Sequence, residues 1–222
     1  MLPESSVSPL SPAAVPLPDA IAEANHRIAN NLTLVASMVR MHARTLNDRA
    51  EPLTKEGVRA LLEEIGTRIE QVAHLHGLMA GQEHGEPVDL SDYLRDIGET
   101  VVSSLTFLGK AKLHYGSHSE CLVAPGRALP VGLIVGELLT NAVKYAHPAG
   151  VTGDIMVTCN RFDDVIVVVI SDDGIGLPET FDPMRHGGLG LRLVRSLAAQ
   201  VDAKLVFNDT GTGLSVEVHI PA

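Results

Sequence analysis

ELLTNAVKY, residues 137–145, is the most informative segment of this chain. It lies in a predicted helix, Pro130–Ala146, on which Glu137, Asn141 and Lys144 share one face because they stand four and three positions apart. That face offers a carboxylate and an amide oxygen, which suit Mg²⁺, and an ammonium group, which suits phosphate. The same spacing is common on solvated helix faces, so the stretch alone assigns no ligand.

Two glycine-containing motifs follow in the sequence. DDGIG, residues 172–176, comes directly after the apolar run Val165–Ile170, where a carboxylate can accept a hydrogen bond from an exocyclic amine and glycines allow a flat ligand to approach the backbone. GGLGL, residues 187–191, opens a predicted helix, Leu189–Ala199, whose first N–H groups suit phosphates. Each motif alone is equally typical of a plain turn or helix start.

In this order, the three motifs and GTG at residues 211–213 resemble the N, G1, G2 and G3 boxes of the Bergerat-type (GHKL) ATPases, a family that includes histidine kinases, chaperones and gyrase-like proteins. The resemblance covers residues 87–222 and implies an α/β sandwich that binds ATP and Mg²⁺. It implies that Asn141 holds Mg²⁺ with Glu137 beside it, and that Asp172 reads adenine. The other nucleotide-binding residues that it implies are Lys144, Tyr145, Gly174, Gly176, Arg185, Gly188, Leu189, Gly190 and Gly213.

Two features depart from the family pattern. His186 stands where many kinases have the first glycine of the G2 box, and the segment from Leu177 to Gly187 is short for a lid over ATP. Arg185 lies within this lid and is expected to reach a phosphate group. Both departures concern the lid rather than nucleotide binding as such.

The residues around the motifs predict helices and strands in mixed order, with a further helix at Leu90–Leu108. Since this order is not a strict βαβ alternation, we expect an antiparallel-rich sheet covered by helices on one face. The predicted strands are Lys112–Tyr115, Glu120–Val123, Ile155–Asn160, Val165–Ser171, Lys204–Asn208 and Leu214–Ile220.

The N-terminal part has a different pattern, which makes the expected fold class α plus α/β. Apolar residues recur at three- and four-residue steps from Asp19 onward and, after a break near Pro52, from Val58 to Met79, which predicts a hairpin of two long helices over residues 19–86. One hairpin buries little apolar surface, so we expect a homodimer with a four-helix bundle. Residues 1–18, rich in Pro and Ser, are predicted to form a flexible tail.

The string HRIAN, residues 26–30, lies on the first predicted helix, beside its apolar seam. His26 is therefore expected on the outer surface of the bundle, where a second protein can reach it. A neutral imidazole is a competent nucleophile towards a phosphoryl group, and Glu23, about one turn earlier, can orient the ring or take its proton. The alternative is a plain surface histidine, one of ten in the chain.

Together with the ATPase motifs, the hairpin and this string resemble the dimerisation and phosphotransfer hairpin of two-component histidine kinases, in particular the HRxxN group related to the HWE kinases. The resemblance implies that His26 accepts the γ-phosphoryl group of ATP, with Arg27 and Asn30 as supporting residues. It implies that an aspartate of a response-regulator receiver domain then takes the phosphoryl group. No sensor domain precedes the hairpin in this sequence, so input is expected from an upstream sensor protein.

Composition excludes several other classes. The 222 residues are 45% hydrophobic, enough for a core, and carry a formal net charge of −10, which argues against unaided binding to nucleic acid or an anionic membrane. The longest aliphatic run is too short to cross a bilayer, and no signal peptide is recognisable. Cys121 and Cys159 are far apart and fit no metal-ligand spacing. We therefore expect a cytoplasmic protein without membrane insertion.

Two other functions stay open. A histidine phosphotransferase with a kinase-like fold would relay phosphate between receivers without ATP; Asn141, Asp172 and the glycines argue against it, and His186 argues mildly for it. A GHKL anti-sigma-type serine kinase or switch would bind ATP, but it would not need His26 on an amphipathic hairpin.

Overall fold

The computed structural model describes residues 33, 35–37, 39, 40, 43, 54–80, 87–104, 111–117, 119–147 and 151–222. The described residues between 33 and 43 are helical, and helix α1 follows at Lys55–Ala80. α1 begins after Thr54, whose Oγ1 accepts a hydrogen bond from the backbone N–H of Gly57 (3.1 Å), as an N-cap residue does. The second helix of the predicted hairpin is thus confirmed. The predicted tail and the string around His26 lie outside the described residues.

The part of the chain that the structure describes contains one large sheet and one short ribbon. The strands are β1 (Val88–Asp89), β2 (Ala111–Ser117), β3 (Leu122–Val123), β4 (Gly153–Phe162), β5 (Val165–Asp172), β6 (Lys204–Asp209) and β7 (Leu214–Pro221). The sheet has the order β2–β4–β5–β7–β6, and β1 pairs with β3. β2 runs parallel to β4 and the other sheet pairings are antiparallel, so the expected antiparallel-rich sheet is confirmed.

Helices α2 (Leu90–Ser104), α3 (Pro125–Tyr145) and α4 (Leu189–Gln200) pack with the sheet around one apolar core. Buried and less buried residues alternate along β4, β5 and β7, because successive side chains in a strand point to opposite faces. α3 lies at the centre of the helical layer and contacts α1, α2 and α4. Its residues from Ala128 to Leu139 are all buried, which fixes the helix that carries the first sequence motif.

Helix α3 begins at Pro125, so the predicted start at Pro130 was wrong. Pro125 occupies the start of the helix, where a missing N–H costs nothing because no partner is available. Pro130 lies inside the helix, where proline removes one hydrogen bond. Burial of the surrounding turns against the neighbouring helices offsets this cost. The local sequence does not show this burial, so it predicts a helix that begins only at Pro130.

The two cysteines meet in the core although they are far apart in the sequence. Cys121 and Cys159 are both buried free thiols, and their side chains form a hydrogen bond with each other. Burial is the main cause that raises the pKa of Cys159, so the thiol stays protonated and acts as a small packing group. Among the described helices, none is both long and apolar enough to span a membrane.

Helices α2 and α3 approach closely at Gly132. A Cβ atom at this position would lie 2.8 Å from Oη of Tyr93, 2.9 Å from its Cε1 and 2.9 Å from Cδ1 of Ile97. Tyr93 and Ile97 are themselves buried, so neither can move aside without disturbing the core.

We expect Gly132→Ala to lower the free energy of unfolding by about 1–3 kcal/mol, because overpacking outweighs the higher helix propensity of alanine. Gly126→Ala on the same helix is the matched control, since a Cβ there would have no heavy atom within 4 Å. Urea denaturation of both variants measures the difference. Equal stability of the two variants would contradict the close approach at Gly132.

Candidate functional site

A cavity of about 490 Å³ lies between the C-terminal half of α3, the end of β5 and the lid. Apolar side chains make up most of its wall, and polar side chains come from α3 and β5. The apolar residues include Ile170, Ile175, Leu177, Phe207, Leu214 and Val216, and the polar residues are Glu137, Thr140, Asn141, Lys144, Tyr145 and Asp172. An apolar pocket with a few convergent polar groups is the usual form of a small-molecule site.

Helix α3 presents its polar residues to the cavity in order of depth. Glu137 is buried, with 4% of its surface exposed, and Asn141, one turn later, is half-buried. Lys144 and Tyr145 are exposed at the end of the helix. The helix therefore places the side-chain oxygens of Glu137 and Asn141 in the more buried part of the cavity and the ammonium group of Lys144 at its exposed end. All three line the same cavity, which agrees with the shared helix face that the spacing predicts.

Asp172 forms the opposite polar end of the cavity. Its Oδ1 accepts hydrogen bonds from the backbone N–H groups of Gly174 (3.0 Å) and Leu214 (3.2 Å), which fix the carboxylate. Within the described residues no further donor is bonded to this carboxylate, so Oδ2 is available to an amine in the cavity.

Two glycines near Asp172 allow stretches of backbone to lie in direct contact. A Cβ atom at Gly174 would overlap the backbone of Ala146, whose oxygen accepts a hydrogen bond from the N–H of Ile175 (2.9 Å). Gly213 has φ +141°, and a Cβ there would overlap the carbonyl oxygen of Asp172. Both positions therefore require glycine because another stretch of backbone lies against them.

The start of the lid is held by Asp209, a residue that the sequence analysis did not identify. Gly176 has φ +70°, and the Asp209 carboxylate lies beside it and accepts hydrogen bonds from the N–H groups of Gly211 (2.9 Å) and Leu177 (3.1 Å). These two donors lower the pKa of Asp209. An Asp two residues before a Gly is a known turn signal, so the contact of Asp209 with Gly211 could have been predicted from the sequence. The contact with Leu177 has no such local signal.

A second unpredicted contact lies beside Asp172. The Asp173 Oδ1 atom is 2.6 Å from Nε2 of His147 and accepts a hydrogen bond from the N–H of Asp154 (2.9 Å). These bonds, with the one from His147 the largest cause, lower the pKa of Asp173. Asp173 therefore ties the chain after α3 to the beginning of β4, next to the residue expected to read adenine.

The lid and the start of α4 complete the cavity. Phe181, Pro183 and Gly187 of the lid line it, together with the glycine-rich start of α4: Gly188, Leu189, Gly190 and Leu191. Arg185 is exposed and outside this lining, and its Nε atom lies 3.4 Å from Oδ2 of Asp182. Gly188, the N-cap residue of α4, has no side chain, and no side-chain cap is formed within the described residues. The first N–H groups of α4 are therefore available to an anion in the cavity.

The side-chain oxygen atoms on α3 suit a Mg²⁺ ion whose other ligands are water and phosphate oxygens. Glu137 and Asn141 supply a carboxylate and an amide oxygen, which are hard donors. In the described part of the chain, no group of three or more His, Cys, Asp or Glu side chains could hold a metal by itself. Two protein ligands suit Mg²⁺, which usually keeps water and phosphate oxygens as its other ligands.

Comparison with known families assigns both parts of the chain. A family model described as histidine kinase matches residues 23–105, and a model described as histidine kinase-like ATPase domain matches residues 117–218. The chain belongs to the histidine kinases. The ATPase domain model covers the residues that line the cavity between α3, β5 and α4, and it implies that this domain binds ATP.

The similar proteins include histidine kinases of Mycobacterium and Erythrobacter. The sensor histidine kinase PdtaS of Mycobacterium tuberculosis is 28% identical over 204 residues, which cover 90% of this chain and 39% of that protein. Blue-light-activated histidine kinase 2 of Erythrobacter litoralis is 27% identical over 208 residues, which cover 90% of this chain and 56% of that protein. The chain thus spans 39% to 56% of the length of these relatives.

A solved structure supports the same fold over nearly the whole chain. The blue-light activated histidine kinase EL346 of Erythrobacter litoralis matches with a TM-score of 0.69 and 27% identity, covering 96% of this chain and 62% of that protein. The predicted architecture, a helical N-terminal part followed by a GHKL α/β domain, is therefore confirmed. The predicted roles of individual residues stay predictions.

The overlap at Gly174 predicts a loss of nucleotide binding. We expect Gly174→Ala to raise the dissociation constant for ATP at least about tenfold, because the loop that carries Asp172 must move away from the end of α3. Titration with a fluorescent ATP analogue measures this constant. Gly126→Ala, at the other end of α3, is the control and should bind as the wild type does.

The lowered pKa of Asp173 predicts a pH-dependent contribution to stability. A carboxylate with a lowered folded-state pKa stabilises the fold above its unfolded pKa of about 4, and this stabilisation is lost as pH falls through the folded pKa. The difference in unfolding free energy between wild type and Asp173→Asn should therefore be largest near neutral pH and shrink in acid. In a His147→Asn background the difference should be smaller, since the main cause of the shift is gone. Urea denaturation between pH 7 and pH 3 tests both statements, and a difference independent of pH would contradict them.

Proposed function

We propose that this protein is a histidine kinase that transfers the γ-phosphoryl group of ATP to its own His26 and then to an aspartate of a response-regulator receiver domain. The observation that carries this proposal is one cavity containing an anchored Asp172 carboxylate, the oxygen donors of α3 and the uncapped N-terminus of α4. A family model for histidine kinases covers the segment that contains His26.

Each end of the cavity suits a different part of ATP. Asp172 Oδ2 accepts a hydrogen bond from the adenine amine, while the apolar wall around Ile170, Ile175 and Val216 covers the ring. The N–H groups at the start of α4 and the ammonium of Lys144 bind the phosphates. Glu137 and Asn141 hold Mg²⁺, which neutralises phosphate charge when it is bound.

The proposed chemical step takes place at His26. A neutral ring nitrogen of His26 attacks the γ-phosphorus, the bond between this phosphorus and the bridging oxygen breaks, and ADP leaves with the electron pair. Glu23 accepts the proton that the ring loses, and Arg27 and Asn30 orient the ring. These four residues lie outside the described residues, so their roles rest on the family match and the sequence pattern.

The exposed apolar residues of α1 support a homodimer. Val58, Leu62 and Ile69 recur at steps of four and seven residues, and their exposed fractions are 42%, 62% and 42%. Val72, further along the same apolar seam, is buried in the core, and α1 contacts α3, so the chain itself covers part of this seam. A second copy of the hairpin would cover the exposed stripe in a four-helix bundle.

The partners and the location follow from the proposed reaction. The phosphohistidine passes its phosphoryl group to a receiver domain that docks beside His26, and an upstream sensor protein supplies the input. The cytoplasm is the proposed location, and the free thiols of Cys121 and Cys159 suit its reducing conditions.

Autophosphorylation with γ-labelled ATP and Mg²⁺ tests the proposal. We expect the wild type to acquire label that is labile in acid and stable in alkali, and we expect His26→Ala and Asn141→Ala to acquire none. His42→Ala is the matched control, because His42 lies on the same predicted helix and has no assigned role. Its label should equal that of the wild type.

The other outcomes identify the alternatives. Binding of ATP without any label would overturn the autokinase and favour a switch, and label on a serine would favour an anti-sigma-type serine kinase. Label on His26 that appears only from a phosphorylated receiver domain would establish a phosphotransferase that does not use ATP.

A further inference from the structure

The lid is folded into a compact turn around Asp182. The backbone oxygen of Asp182 accepts hydrogen bonds from the N–H groups of Arg185 (3.0 Å) and His186 (2.7 Å). Its Oδ1 accepts a further bond from the N–H of Met184 (2.8 Å). The lid therefore has its own internal structure, although it is short.

His186, which replaces a glycine of the family motif, closes this turn. Its Nδ1 atom accepts a hydrogen bond from the N–H of Asp182 (2.9 Å), so the ring joins the two ends of the turn. The ring also packs against that of Phe181, with 5.9 Å between the ring centres. A glycine at this position would provide neither contact.

Arg195 fastens the turn to helix α4. Its Nη1 atom donates hydrogen bonds to the carbonyl oxygens of Pro183 (2.6 Å) and His186 (3.0 Å). Arg195 is half-buried, and its neighbours Val194 and Leu197 belong to the core. The anchor is therefore rigid, and a planar guanidinium is well suited to hold two carbonyl groups at once.

The anchored turn forms one wall of the cavity, because Phe181 and Pro183 line it beside the start of α4. We propose that His186 and Arg195 are positioning residues that hold the lid in its nucleotide-binding conformation, so that tight retention of nucleotide depends on both. This inference rests on the proposed binding of ATP in the cavity. A wall that is already folded binds more tightly because less entropy is lost on binding.

Substitutions at His186 separate positioning from direct contact with nucleotide. His186→Ala removes the Nδ1 acceptor, and we expect the dissociation constant for ADP to rise about three- to tenfold, as for one lost hydrogen bond. His186→Asn keeps an acceptor oxygen near the position of Nδ1 but lacks the Nε2 side of the ring. It should bind ADP within about twofold of wild type. If His186→Asn behaves as His186→Ala does, the role assigned to Nδ1 is wrong.

Substitutions at Arg195 test the anchor. Arg195→Ala should raise the dissociation constant for ADP by a similar or larger factor, and Arg195→Lys, which keeps the charge, should have an intermediate effect. Lys204→Ala removes the same charge from an exposed position outside the cavity lining and should leave binding unchanged. If Lys204→Ala lost as much affinity for ADP as Arg195→Ala, the effect would come from the change in net charge, and the proposal that Arg195 anchors the lid would be wrong.

The kinetic consequence distinguishes a positioning role from a general loss of stability. The ATP concentration that gives half-maximal autophosphorylation should rise in Arg195→Ala and His186→Ala, while the plateau rate per folded protein stays within about twofold. An unchanged half-maximal concentration with a lower plateau would contradict retention of nucleotide by the lid.

Hydrogen exchange in the nucleotide-free protein tests the anchor without any kinase activity. Amides of the lid should exchange about three- to tenfold faster in Arg195→Ala and His186→Ala than in wild type, and at the wild-type rate in His186→Asn. Exchange at the wild-type rate in all variants would overturn the proposed anchor. If the wild type binds no nucleotide, the proposed function fails, and the exchange rates still decide whether His186 and Arg195 hold the lid.

Discussion

The arrangement of the site depends on the contact between two stretches of backbone at Gly174 and Ala146. The absence of a side chain at Gly174 allows the loop after β5 to lie against the end of α3, and the bond from Ile175 N–H to Ala146 O fixes the distance. This contact brings Asp172, at the end of a strand, and Asn141, on a helix, to one cavity. A larger residue at Gly174 would push the loop after β5 away from the end of α3. Asp172 and Asn141 would then move apart, although neither side chain itself had been changed.

Helix α3 transmits this constraint to the rest of the molecule. It is buried along most of its length between α2, α4 and the sheet, so its polar residues cannot shift relative to β5. Burial of a carboxylate such as Glu137 costs free energy that an apolar side chain would not. Glu137 lines the cavity, so this cost falls on a group that a ligand in the cavity can reach.

The sequence predicts the parts of the site that rest on local patterns. Strand alternation, helix spacing and the glycine motifs predict the helix that carries Asn141, the strand that ends at Asp172 and the helix that begins at Leu189, because each depends on neighbours in the chain. The contact of Asp209 with Leu177 joins residues 32 positions apart, and that of Arg195 with Pro183 joins a helix to an irregular loop 12 positions earlier. The spacing of residues in the sequence does not predict these contacts, because they form only when the sheet and the helices pack together. The same reason explains the early start of α3, where tertiary burial outweighs the local preference of proline.

The described part of the hairpin contacts the ATPase domain at the helix that carries the first sequence motif. α1 packs against α3, Val72 of α1 is buried in the common core, and Val35, earlier in the chain, packs against that core. Burial of one valine side chain contributes about 1.5–3 kcal/mol, so this contact helps to fix the position of α1 on α3. Because α3 also carries Glu137 and Asn141 into the cavity, a shift of α1 can act on the cavity through this one helix.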